Sequence, residues 1–218
     1  MNLGDVKIRV KRQFGDEAGV QITDADITRW VNDAQRDIVM NHEDVLEKLG
    51  TADAVAGQLE YVLPTDLFIL RSVSFRRDTS TSYNSMQGMS LQQFDQFVDG
   101  WDGPTFGNGW PQIYHVYEGK LKVWPAADTA VVAGFKIYYS RKPLDRVNDI
   151  DEIDLPIPYH NAVVNFCLQQ AYELDEDLTS AAYKKGQVAE SIVLNKEREK
   201  WTHRDTYPVI TVMSEDAW

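Results

Sequence analysis

ITDADITRWVNDAQRDI, residues 22–38, holds the clearest structural signal in the chain. Its apolar residues recur at spacings of three and four, as on one face of a helix: Ile27, Trp30, Val31, Ala34 and Ile38. Thr23, followed three residues later by Asp26, resembles a capping box with Asp in place of the usual Glu, and it marks the helix start. The pattern predicts an amphipathic helix that continues into residues 43–49 and is stopped by Gly50.

Helical periodicity is also present at both ends of the chain. Residues 3–14 carry one helical apolar stripe, although Ile8 leaves a strand with period two open. Residues 158–174 carry a second stripe, and a third runs to the charged segment 196–200 after an interruption at residues 175–177. The basic residues in the last turn of this segment oppose the helix dipole favourably. We therefore predict helices in all three regions.

The middle of the chain alternates apolar and polar residues, which is typical of strands with one buried face. The predicted strands are residues 58–64, 70–75, 113–117, 120–124 and 131–139. Glu118-Gly119, between two of these strands, predicts a two-residue hairpin turn. Residues 78–89 are rich in Ser, Thr and Asn and predict a loop, and residues 91–98 predict a short helix.

The order of these segments predicts an α+β fold. Two helical blocks flank a β-rich insert and precede an extended C-terminal arm, and the family resemblance described below implies that these helices form a bundle. The corresponding domains are residues 1–50 with 155–200 for the bundle, 51–154 for the insert and 201–218 for the arm.

Composition limits the classes of function. The chain has 218 residues, of which 43% are hydrophobic and 26% charged, so a packed core is expected and disorder is not. No run approaches the roughly 20 apolar residues of a membrane helix. The net charge of −12 repels phosphate, so wrapping nucleic acid for affinity is disfavoured. The same repulsion suits a surface past which DNA must slide without specific binding.

Signatures of catalysis or metal binding are missing from the sequence. The four histidines lie far apart, and neither a nucleophile elbow nor a phosphate-binding glycine loop is present. Cys167, in an apolar run, is predicted to be a buried hydrophobic residue. Acidic neighbours that leave a carboxylate pair open are Glu43-Asp44, Asp95 with Asp99, and the groups within 149–154 and 173–177. We predict no catalytic residues, no metal, no cofactor and no enzymatic activity.

Two segments are candidates for contacts with other proteins. Trp101, Phe106 and Trp110 share one Gly- and Pro-rich loop, where they either fold back into the core or anchor a partner. The tail after residue 200 is apolar and strand-like, and Pro208 excludes helix continuation. It is either an edge strand of its own sheet or an arm along a neighbouring chain, and we favour the arm. The arm residues are Trp201, Tyr207, Pro208, Val209, Ile210, Val212, Met213 and Trp218.

Five segments resemble, in order, motifs of the head-to-tail adaptor (connector) proteins of short-tailed bacteriophages. They are ITDADITRWVNDAQRDI at 22–38, LEYVLPTD at 59–66, GKLKVWPA at 119–126, YYSRKP at 138–143 and IPYHNAVV at 157–164. Each motif is short, and it is their order over nearly the whole chain that carries the resemblance.

The resemblance implies a structural virion protein. Such adaptors form a ring, commonly of twelve copies, between the portal protein and the tail nozzle, and the ring is a DNA conduit and docking platform. It implies as partners the portal, the nozzle and neighbouring adaptor subunits, with the C-terminal arm on the portal. We expect the aromatic loop to contact the nozzle or a neighbouring subunit. The protein would lie in the neck or tail of the virion, and in the host cytoplasm during assembly.

Two alternatives to this reading stay open at the level of sequence. Some short-tailed phage adaptors are associated with cell-wall degradation, so the chain could be an adaptor with muralytic activity. It could also be a minor virion module that does not form a ring.

Overall fold

The computed structural model describes residues 1–42, 44–79, 82–97 and 109–202. Its helices are α1 (Leu3–Phe14), α2 (Asp24–Asn41), α3 (Leu91–Phe97), α4 (His160–Leu174) and α5 (Leu178–Thr202), with a 3-10 turn at Ile157–Tyr159. Its strands are β1 (Glu47–Ala54), β2 (Glu60–Val62), β3 (Leu67–Phe75), β4 (Asn84–Ser85), β5 (Gln87–Gly88), β6 (Ile113–Tyr117), β7 (Lys120–Trp124) and β8 (Val131–Arg141). The α+β class is confirmed. In the described part of the chain, no helix has the length and apolar composition needed to cross a bilayer.

The chain divides into two compact units. The helical unit is Met1–Ala34 with the chain from Asn148 onward, and the sheet unit is Gln35–Val147. The division falls inside α2 and after residue 147. The domain boundaries expected from the sequence, at residues 50, 154 and 200, stay predictions.

The N-terminal segment of the helical unit is a helix, so the alternative strand over residues 3–14 is wrong. Asn2 and Asp5 form a capping box in which the Asp5 N–H donates to Asn2 Oδ1 at 2.7 Å. Gly15 ends the helix in a left-handed conformation with φ 92°. Ile8, which suggested a strand, is exposed, while the residues at helical spacing are buried. In the same unit, α1 packs against α4 and α4 against α5.

The second helix begins where its sequence predicts and ends earlier. The Asp26 N–H donates to Thr23 Oγ1 at 3.2 Å, which confirms the capping box. The predicted continuation into residues 43–49 is wrong, because α2 ends at Asn41 and β1 begins at Glu47. Strand β1 pairs with β8 along its whole length, and Gly50 lets it approach the Tyr139 ring, which a Cβ would meet at 3.2 Å. Pairing with a distant strand therefore outweighs the local helical pattern.

The sheet unit contains two four-stranded sheets with strand orders β1-β8-β3-β4 and β2-β7-β6-β5. All pairs are antiparallel except the parallel pair β5–β6. A buried aromatic group lies between strands, with the Phe135 ring centroid 4.7 Å from that of Tyr61 and 5.1 Å from that of Phe75. The predicted β6–β7 hairpin is confirmed, since Glu118 (φ 48°) and Gly119 (φ 72°) are both left-handed, as a type I′ turn requires.

One predicted loop contains short strands. Within residues 78–89, β4 pairs with β3 and β5 pairs with β6, so the expectation of a loop throughout is wrong. Polar residues at the rim of a sheet carry little strand propensity of their own, and their partners are distant in sequence. The predicted short helix at 91–98 is present as α3, and its last predicted residue lies outside the described part of the chain.

Candidate functional site

The described residues hold the two ends of the predicted aromatic contact loop. Trp101 and Phe106 lie outside the described residues. Trp110 is described and 41% exposed, so it is not a core residue of the chain. The structure describes the residues on either side of segment 98–108, which are α3 before it and Gly109-Trp110 after it.

The returning end is fixed to the β7–β8 connection by backbone hydrogen bonds. The Gly109 N–H donates to the Ala126 carbonyl at 2.7 Å, and the Asp128 N–H donates to the Gly109 carbonyl at 3.1 Å. A Cβ on Gly109 would meet Pro125 Cγ at 3.1 Å, so this close approach favours glycine. The exposed Trp110 therefore follows a residue whose backbone is held by two hydrogen bonds.

The departing end is fixed by α3. The Gln93 N–H donates to Ser90 Oγ at 3.3 Å, and the Ser90 N–H donates to Gln93 Oε1 at 3.2 Å, which makes a capping box. Phe94 is buried against Ile113, and Met89 and Trp124 pack on this small apolar cluster. Both ends of residues 98–108 are thus held by packed elements of one unit.

The predicted C-terminal arm follows α5. Trp201 lies in this helix, though the structure does not describe its side chain. The other arm residues lie outside the described residues, and they are Tyr207, Pro208, Val209, Ile210, Val212, Met213 and Trp218. Helix α5 runs through Thr202, two residues past the predicted bundle boundary.

A buried asparagine, which the sequence analysis missed, fixes the second half of α5. Asn195 is 5% exposed, and its Nδ2 donates to the Pro158 carbonyl at 3.0 Å. Because a buried amide needs such a partner, this bond sets the position of α5 against the 3-10 turn. The sequence signal was an Asn at a position where the stripe of α5 predicts an apolar residue. The arm therefore starts from a helix whose placement within the helical unit is well defined.

Two of the motifs that carry the family resemblance meet in the sheet unit. Asp66, from LEYVLPTD, accepts a hydrogen bond from Tyr139 Oη, from YYSRKP, at 2.9 Å. Lys48 Nζ donates to the other Asp66 oxygen at 2.6 Å. The hydrogen bond from Lys48 holds the pKa of Asp66 below its ordinary value, while burial opposes this effect. These hydrogen bonds connect the start of β3 with β8 and β1, so Asp66 and Tyr139 have a structural role.

Acidic charge is concentrated in the helical unit. This unit contains 11 basic and 20 acidic residues, a net −9, and the sheet unit contains 11 and 14, a net −3. A groove of about 370 Å³ on the helical unit contains Lys7, Lys11 and Arg12. Lys7 pairs with Asp149 and Lys11 with Asp24, each at 2.6 Å, and Arg12 lies 3.9 Å from Glu17. The cations of this groove are therefore neutralised, which leaves little attraction for phosphate.

Several of the carboxylates considered for catalysis have structural partners. Asp44 pairs with Arg71, and Asp149 pairs with Lys7. Asp177 caps α5, and its hydrogen bonds from Ser180 lower its pKa, whereas a general acid needs a raised one. Asp95 lies on α3, and Glu43 and Asp99 lie outside the described residues.

Neither a metal site nor a reactive thiol is found in the described parts of the chain. No group of three or more His, Cys, Asp or Glu side chains there is placed to hold a metal ion. Cys167 is fully buried, as predicted, and burial raises the pKa of its thiol far above the ordinary value. The thiol is therefore unreactive.

Comparison with known protein families places the chain beside a described family. A family model described as "SU10 adaptor protein" matches residues 1–208. No curated protein sequence is significantly similar to the chain.

Proposed function

Because the chain belongs to the SU10 adaptor protein family, we propose that it forms a ring, with twelve copies as in related adaptors, between the portal protein and the tail nozzle. Family membership makes it a structural adaptor of a bacteriophage, located in the virion neck and in contact with other neck proteins. The match over residues 1–208 is the observation that carries the proposal. The ring, its copy number and its two neighbours are the proposed part.

In this proposal the ring is a conduit past which DNA moves without specific binding. The support is the distribution of charge: a net −9 on the helical unit, with the cations of its groove already paired to carboxylates. An acidic wall repels the phosphates of exiting DNA, whereas free lysines and arginines would bind them and slow ejection.

The C-terminal segment is the proposed portal-docking arm. Its sequence is apolar from Tyr207 to Met213, and it follows a helix fixed by the Asn195 hydrogen bond. An extended apolar segment gains binding free energy by adding to a partner's surface. The aromatic loop, with Trp101, Phe106 and the exposed Trp110, is the proposed contact with the nozzle or with a neighbouring subunit.

Truncation after Thr202 tests the arm. The chain ending at Thr202 should fold with an unchanged melting temperature and should no longer join the portal. Full-length protein with Ile150→Ser, a change at an 83% exposed position, is the control and should still join. Copies per portal are counted by native mass spectrometry or electron microscopy. A truncated chain that assembles on the portal like the control would refute the arm, and free portal after mixing with full-length protein would refute the adaptor ring.

The same preparation separates the two alternatives. Cell-wall zymography on full-length protein reports a muralytic activity, which should be undetectable, since Asp44, Asp149 and Asp177 are held in ion pairs or a helix cap. A neck that contains the protein without rotational symmetry would favour the minor module that forms no ring.

A further inference from the structure

A backbone irregularity in β8 marks an unusual place on the sheet unit. Ala52 pairs with Phe135, but Ala54 pairs with Val131, so β8 carries a bulge opposite the end of β1. Ala133 lies in this bulge with φ 49°, a left-handed conformation that non-glycine residues seldom adopt. Bulges and strained residues of this kind persist where the surroundings hold them, often at functional places.

Side chains from β8 itself, from the residue that follows β3 and from the residue that precedes β4 converge on the bulge. Tyr83 Oη donates to the Ala133 carbonyl at 2.6 Å, and Arg76 Nη2 donates to the Val132 carbonyl at 2.8 Å. Lys136 Nζ lies 4.2 Å and Arg76 Cζ 5.0 Å from the centre of the Tyr83 ring. We call Arg76, Tyr83, Val132 and Lys136 the bulge cluster. The tyrosine ring and the bulge carbonyls offset part of the repulsion between the two cations.

The two cations of the bulge cluster lack an acidic counterpart. Among the described residues, no carboxylate lies within ion-pairing distance of Arg76 or Lys136, whereas the adjacent Arg77 pairs with Asp128 at 3.0 Å. The nearby Asp53 carboxylate accepts a hydrogen bond from the Ala133 N–H at 2.7 Å. Arg76 Nε is also buried without an acceptor. In a chain of net charge −12, this is a local excess of positive charge on the less acidic unit.

A complementary surface exists on the helical unit, at the turn between α4 and α5. Asp175 and Glu176 lie in this turn, are exposed, and form no ion pair with a described cation. Leu174 and Leu178 flank them and are 61% and 71% exposed. Val132, beside the two cations of the bulge cluster, is 71% exposed. Each surface therefore combines charge of one sign with exposed apolar side chains.

We propose that the bulge cluster of one copy binds the α4–α5 turn of a second copy. The inference rests on the proposed ring, since a ring joins two different surfaces of identical chains. Copies of net charge −12 repel one another, so their contact needs matched opposite charges where they meet. The bulge cluster supplies unpaired cations, and the turn supplies unpaired carboxylates with apolar flanks. DNA phosphate, which the same cations could attract, is the competing occupant that the experiment must separate.

Cross-linking between singly labelled chains tests the contact. Lys136→Cys chains are mixed with Asp175→Cys chains and treated with a short bis-maleimide, the native Cys167 being buried and unreactive. The control pair, Lys142→Cys with Glu190→Cys, uses exposed charged residues of the same two units. We expect mixed dimers at about ten times the control yield, and less at 1 M salt, because the contact is charge-assisted. The mixture is assayed both free in solution and on the portal.

A charge swap supplies the second readout. Lys136→Glu and Asp175→Lys should each reduce self-association about tenfold, measured by sedimentation of concentrated protein and by copies per portal, and mixing the two variants should restore it. Lys142→Glu should have no such effect.

The possible results separate this contact from the proposed ring and from DNA binding. Cross-linking no higher than the control in both settings overturns the proposal, as does a mixture of charge-reversed variants that associates no better than either alone. If Lys136→Glu protein no longer retains a duplex oligonucleotide and its self-association is unchanged, the bulge cluster binds DNA, and the proposal is also overturned. Failure of wild-type protein to join the portal would refute the proposed function, while cross-linking of the free protein would still decide this contact.

Discussion

At the scale of single residues, a hydrogen bond joins two distant motifs, LEYVLPTD at 59–66 and YYSRKP at 138–143, and an ion pair links the first of them to β1. Asp66 accepts hydrogen bonds from Tyr139 Oη and Lys48 Nζ. Asp66 lies in the β2–β3 connection, Tyr139 in β8 and Lys48 in β1. Gly50, two residues after Lys48, keeps β1 close to the Tyr139 ring. Asp66 and Tyr139, each from one of the motifs, therefore help to fix the packing of the first sheet.

Replacing Asp66 with Asn should destabilise the protein by about 1 kcal/mol at pH 7, because a charge-assisted pair that is partly exposed contributes about that much. The folded-state pKa of Asp66 lies below its ordinary value of 3.8, so its stabilisation is present above that value and is lost as pH falls through the folded-state pKa. Urea unfolding at pH 7 and near pH 3 measures the loss of stability and its dependence on pH.

The exposed neighbour provides the matched control for this change. Thr65→Asn should leave the free energy of unfolding unchanged at both pH values, since Thr65 is exposed and takes no part in the network. An Asp66→Asn variant whose loss of stability is equal at pH 7 and pH 3 would contradict the assigned ion pair.

At the scale of secondary-structure elements, local signals and long-range pairing compete. The capping boxes of α1 and α2 and the Glu118-Gly119 turn form as their local residues dictate. The segment after α2 does not follow its local helical pattern, because it pairs with β8 and is a strand. The bulge in β8 has the same origin, since only the partner strand defines where its two extra residues must be accommodated.

Two glycines should respond in opposite ways to replacement by alanine. A Cβ at Gly134 would lie 2.6 Å from Ala54 Cβ, so Gly134→Ala should destabilise the protein by about 1–3 kcal/mol through overpacking. Gly186 lies inside α5 with no atom near a Cβ, so Gly186→Ala should stabilise by about 0.5–1 kcal/mol through helix propensity. Chemical denaturation measures both values, and a neutral Gly134→Ala would contradict the packing at the bulge.

At the scale of the whole molecule, the two units carry unequal charge. The helical unit has most of the acidic excess, and the sheet unit holds the exposed Trp110 and the unpaired bulge cations. The proposed contacts use both units, since the arm and the α4–α5 turn belong to the helical unit, and Trp110 and the bulge cluster belong to the sheet unit.

Trp110→Ala should separate assembly from folding. Since Trp110 is 41% exposed, its removal should change the melting temperature by only about 1–2 °C. Loss of an aromatic anchor should lower affinity for the nozzle, or for a neighbouring subunit, by at least about tenfold. Thermal unfolding and a pull-down with reconstituted portal complexes measure the two effects, and Trp110→Phe is the conservative control. Unchanged assembly of the alanine variant would remove Trp110 from the interface.

The sequence by itself determined the α+β class, the helix start at Thr23, the β6–β7 hairpin and the burial of Cys167. Those features are encoded within a few neighbouring residues, because caps, tight turns and helical stripes involve atoms at most one or two turns apart. Only the tertiary structure decided that residues 47–54 are a strand, that Asp66 meets Lys48 and Tyr139, and that Arg76 and Lys136 gather at the bulge. Those arrangements depend on partners tens of residues away, and the free energy that selects them exists only once the sheets have formed.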